Sequence, residues 1–131
     1  MTNCIIRNLK IEKEQCINLL AKAQNNISEK VPENGWFKNF CACNWDTGDL
    51  FEDRFDFSIF VERDESVPGN IIVGVSMIEV NHPVIDASML LRSGNKAQVL
   101  DYLQTEQAKN NLQENIKKLM ENYYRYTCYN K

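Results

Sequence analysis

RFDFSIFVER-DESVPG-NIIVGVSMIEV, residues 54–80, is the stretch on which the fold turns. Phe55, Phe57, Ile59 and Val61 alternate with Asp56, Ser58 and Glu62, and Phe60 is the one exception. Because successive side chains on a strand leave from opposite faces, this alternation predicts a half-buried β-strand. Pro68 and Gly69 then suit the two central positions of a type II turn, where proline presets the first φ and glycine supplies the positive second one. The following segment is rich in β-branched residues and apolar on parts of both faces, the pattern of a central strand covered more fully than its neighbour. An antiparallel hairpin over about 54–80 follows.

Upstream, Cys16, Leu20, Ala23 and Ile27 recur at helical spacing with Leu19 beside them, while Lys13, Lys22 and Asn25 fall elsewhere on the wheel. This predicts a helix from Glu12 to about Ser28, closed by KVPENG with its Pro32 and Gly35. The start, CIIRNL, is short and apolar and is read as a further strand, and WFKNFCACNW (36–45) as another. Downstream, NHPVID is taken to end the strand region, since Pro83 lacks an N–H for a ladder and restricts His82 before it. A helical turn through ASMLLR is expected next, then a helix in NKAQVLDYLQ with Ala97, Leu100 and Leu103 inward. Thr105 can cap a last helix beginning at Glu106. There Leu112, Ile116, Leu119 and Tyr123 form a stripe, with Lys109, Gln113, Lys117 and Glu121 toward water.

The class is therefore α+β: a small antiparallel β-meander around the 54–80 hairpin, packed against an N-terminal helix and two to three C-terminal helices. With 131 residues, 44% hydrophobic and without repeats or linkers, residues 1–131 read as a single domain able to bury its own core. No apolar run approaches the roughly 18 residues of a membrane span, and the amino terminus lacks a secretory pattern, so a cytoplasmic location is expected. The five cysteines (Cys4, Cys16, Cys41, Cys43 and Cys128) are then expected to stay reduced.

Charge is unevenly spread. Residues 46–65 hold eight acids and two bases, a net −6, which leaves +3 for the rest of a chain of net −3. A grip on nucleic acid requires the reverse, a concentrated basic face, so neither nucleic acid nor membrane is expected as a partner.

The chemistry-bearing residues are sparse. On a regular strand Cys41 and Cys43 point the same way, yet a zinc site normally takes four ligands in close pairs. The remaining candidates, Cys4, Cys16, His82 and Cys128, are isolated from one another, so no metal and no cofactor is assigned. The acids Asp46, Asp49, Glu52 and Asp53 do not follow the calcium-loop spacing. His82 accompanies no recognisable nucleophile. No catalytic residue is assigned, and the sequence alone does not determine the function.

The surplus of acidic and aromatic side chains favours a small non-enzymatic intracellular binding protein of inhibitor, immunity or adaptor type. Its protein partner, or a second copy in a homodimer, would meet an acidic sheet face (Asp56, Glu62) or a tyrosine-rich end (Tyr124, Tyr126, Tyr129). The alternative is a small-ligand or enzymatic pocket near the aromatic Cys-x-Cys segment, formed by Trp36, Phe40, Cys41, Cys43 and Trp45.

Overall fold

A computed structural model describes residues 13–32, 36–46, 55–79 and 82–129. The proposed strand at CIIRNL lies outside these residues. Along the chain run α1 (Lys13–Lys30), β1 (Phe40–Asp46), β2 (Phe55–Arg63), β3 (Asn70–Glu79), β4 (His82–Asn95), α2 (Lys96–Leu103) and α3 (Glu106–Tyr129). The strands pair antiparallel in the order β1-β2-β3-β4, so neighbours in sequence are neighbours in the sheet. This is an α+β meander with one helix before it and two after.

The 54–80 hairpin forms as its alternation requires. Phe57, Ile59 and Val61 are buried, and Asp56 and Glu62 are exposed. At the turn, Asn70 N donates to Val67 O at 3.0 Å across Pro68 and Gly69, and Gly69 has φ +87°. That is the type II geometry, in which only glycine holds the third residue without strain. Asp64 tightens the entry by accepting from Ser66 N at 3.0 Å and Ser66 Oγ at 2.6 Å.

β4 corrects the reading of residues 82–95. Pro83 does not close the sheet, and ASMLLR is not helical, because the whole of His82–Asn95 is one strand. β4 lies at the sheet edge, where a missing N–H costs no ladder bond on the open side, and Pro83 stands at its second residue. A shift in register between Val73 and Gly74 leaves Leu91 without a Cα partner on β3. Leu91 packs on the core, and its neighbour Leu90 is 58% exposed.

One core joins all seven elements. From the sheet it takes Phe57, Ile59, Val61, Ile71, Val73, Val75 and Met77. From α1 it takes Cys16, Leu19, Leu20, Ala23 and Ile27, the stripe anticipated from spacing. α3 contributes Ala108, Leu112, Ile116, Leu119 and Met120. On α2 the inward residues are Val99 and Leu103, with Leu100 half-buried; Ala97, expected inward, is exposed. α2 is fixed by a capping box, in which Asn95 Oδ1 accepts from Gln98 N at 2.8 Å and Gln98 Oε1 accepts from Asn95 N at 3.0 Å. Thr105 Oγ1 caps α3 by accepting from Ala108 N at 3.1 Å.

Candidate functional site

All three helices pack on one side of the sheet, and no described residue covers the other. On that outer side the register sets out rows across the strands. Cys41, Phe60, Gly74 and Leu90 make one row, and Asn44, Ser58, Ser76 and Ser88 make the next. Toward the hairpin turn lie Glu62, Ile72 and Ser93, and at the opposite end stands Asp56. None of these positions is lysine or arginine.

The outer face has two characters. Its apolar part is the exposed Leu90 with the half-buried Phe60 and Ile72. Phe60 spans the central strand: a Cβ built on Gly74 would collide with Phe60 Cζ, so the ring lies directly over the glycine backbone. The polar part is hydroxyl and carboxylate. Ser58 Oγ donates to Asn44 Oδ1 at 2.8 Å, and Cys41 Sγ lies 3.1 Å from the same oxygen. Phe60, Glu62, Ser76, Ala87 and Ser88 border a shallow groove of about 340 Å³. Asp56 and Glu62 have no ion-pair partner among the described residues, so their charge faces outward.

The Cys-x-Cys segment does not form a regular strand. A bulge at Ala42 shifts the register, so that Cys41 pairs with Phe60 on the outer face and Cys43 with Ile59 on the inner. The two sulfurs thus leave on opposite sides, against the same-side geometry of a regular strand. Cys41 is exposed and Cys43 buried, where its Sγ donates to Leu19 O at 3.3 Å. Burial pushes the thiols of Cys16 and Cys43 up to about 11, and the nearby Cys41 adds to the rise at Cys43. Both are neutral at physiological pH and therefore poor nucleophiles. Cys16, Cys41 and Cys43 are unbridged. No cluster of three or more metal-ligating side chains occurs among the described residues.

The aromatic residues of that segment are also divided. Phe40 and Trp45 are half-buried against the core, with Trp45 stacked on Phe57 at 5.6 Å between centroids and Phe40 edge-on to Phe37 at 5.8 Å. Trp36 is 63% exposed and covers the Arg63 guanidinium, 5.4 Å from its ring centroid. Arg63 also approaches Glu65 at 3.5 Å, while its Nε is buried without a hydrogen-bond acceptor among the described residues. A cleft of about 230 Å³ beside Trp36 is bordered by Arg63, Asp64, Glu65, Pro68, Gly69 and Asn70. A second, of about 300 Å³, joins Cys43 and Ala42 to Lys22, Asn25, Asn26 and Asn44. Neither brings Trp36, Phe40, Cys41, Cys43 and Trp45 together.

The side chains of Tyr124, Tyr126 and Tyr129, on the last turns of α3, lie outside the described residues, as does that of His82. Leu90 was missed by the sequence reading, because a helical turn was expected where β4 runs. The signal that would have found it is the pair Leu90-Leu91, two adjacent large aliphatics that a bulged strand can send to opposite faces. No described helix is long and apolar enough to cross a membrane. No family model matches the chain, and no match was found among curated proteins or solved structures.

Proposed function

We propose that the chain is a non-enzymatic protein-binding module that docks a partner on the outer face of its sheet. The observation that carries this reading is the contrast between the two faces. One is sealed by three helices, and the other presents Leu90, Phe60 and Ile72 among carboxylates and small hydroxyls. A large exposed aliphatic beside a half-covered aromatic and a rim of polar groups is the composition of an interface rather than of an inert surface. The divided Cys-x-Cys segment supports the same reading, since the side chains proposed for a pocket do not converge on one cavity.

Site-specific photo-crosslinking tests it. A benzophenone side chain at Ser88, on the outer face, is expected to give a discrete cross-linked species in cells, and the same group at Lys117, exposed on α3, is not. Leu90→Ser should abolish the Ser88 product while leaving the melting temperature nearly unchanged, because Leu90 contributes little to the core. Equal cross-linking from both positions would refute docking through this face.

A further inference from the structure

The outer face also specifies the chemistry of what covers it, on the footing of the docking reading above. We infer that its occupant is a protein surface with an apolar centre flanked by basic side chains, and not a second copy of this chain. Charge carries the argument. The described carboxylates Asp56 and Glu62 stand exposed on β2 at opposite ends of the face, with Phe60 between them. Glu62 follows Asp56 by six positions along the strand, a span of about 20 Å. Among the described residues, no outer-face register position is a lysine or arginine that could neutralise either carboxylate.

A face-to-face dimer of identical chains would oppose carboxylate with carboxylate, with no lysine or arginine at the described outer-face positions of either copy. Area points the same way. Four strands about 4.8 Å apart and a span of about 20 Å give roughly 400 Å² per side. A stable interface of standard size needs about 800 Å² per partner. A patch of half that extent holds a partner with the help of opposite charge, and its affinity therefore falls steeply with salt. Leu90, Phe60 and Ile72 receive the apolar centre, and Asp56 and Glu62 receive the flanking cations.

The probe is a synthetic helical peptide of about 14 residues, which spans about 20 Å. A central leucine pair is flanked by lysines at the two ends, and a control peptide carries glutamate in place of each lysine. Binding to the full chain is followed by nitrogen-15 amide shifts at low and moderate salt. The lysine peptide is expected to shift Ser58, Phe60, Ile72 and Ser76, and to weaken about tenfold or more between about 0.05 M and about 0.3 M salt. Asp56→Lys combined with Glu62→Lys should abolish that binding and admit the glutamate peptide. Both positions are exposed, and circular dichroism verifies that the fold survives; the salt titration of the unaltered chain needs no variant.

If the two peptides bind the face equally well, or charge reversal changes nothing, the basic partner is refuted while docking on this face stands. Shifts confined to the helices refute both. Absence of binding at low salt overturns the proposed partner chemistry. Binding that appears only after residues 1–12 are removed identifies the chain's own start as the occupant. A doubled mass in sedimentation, lost on Leu90→Ser, identifies a second copy.

Discussion

Gly74 and Phe60 form a pair that neither residue explains alone. Phe60 breaks the alternation of β2, and Gly74 leaves a gap in the central strand; register puts them opposite each other, and the ring fills the gap. Gly74→Ala would bring its Cβ within 2.6 Å of the Met89 carbonyl oxygen as well as into the ring, and backbone does not yield as a side chain does. The substitution should destabilise by about 1–3 kcal/mol, measured as a fall in the urea midpoint. The buried thiols make a second residue-scale prediction. Their folded-state values of about 11 lie above the ordinary thiol range, so folding disfavours the thiolate. Stability from this source is complete below about pH 8.5 and is lost as pH rises toward 11, by about 2–3 kcal/mol per thiol. Denaturation series from pH 8 to about 11 should show this slope, and Cys16→Ala or Cys43→Ala should each flatten it, whatever its effect at neutral pH. Cys41, exposed on the outer face, should react with iodoacetamide far faster than either.

Elements were legible where one local signal spoke without contradiction. The α1 stripe and the Pro68-Gly69 turn could be read directly, because period 3.6 and a positive φ depend only on neighbours in sequence. β4 could not. Pro83 is a stop signal in a central strand and a harmless residue at an edge, and edge or centre is a property of the whole sheet. The bulge at Ala42 was hidden for a similar reason: it exists only relative to β2, and it separates two cysteines that the spacing alone sets side by side. On α2, Ala97 and Val99 both fit an apolar helix face, and packing on the sheet selects the larger. The candidate face was legible in Asp56 and Glu62, whose outward direction follows from alternation, and illegible in Leu90. Helix caps give the test at this scale. Thr105→Ala removes the acceptor for Ala108 N and should cost about 1 kcal/mol, seen as a lowered melting temperature. Gly69→Ala, at φ +87°, should cost about 1 kcal/mol at the turn without altering strand pairing, which amide exchange across β2 and β3 would verify.

At the scale of the molecule, a single core means that no layer is stable alone. Ile116→Ala or Leu112→Ala on α3 should cost about 2–5 kcal/mol, because each is fully buried in a cluster to which the three helices and β1 to β3 contribute and against which β4 packs. Loss of far-ultraviolet and near-ultraviolet dichroism should coincide in both variants, as it does when unfolding is all-or-none. The order of the strands has a consequence for how the chain comes to be folded. Because each strand pairs with the next in sequence, few contacts of the sheet wait on distant residues, and a meander of this kind assembles quickly. During synthesis the four strands leave the ribosome before the helix that seals half of them. Ile71, Val73, Val75 and Met77 are then without α3 until Ala108 to Met120 emerge, and a nascent chain stalled near Thr105 would carry a sheet covered by α1 and α2 but open where α3 packs on β3 and β4. The interval between translation of β4 and of α3 is thus the period in which the apolar face of β3 and β4 lacks its last cover.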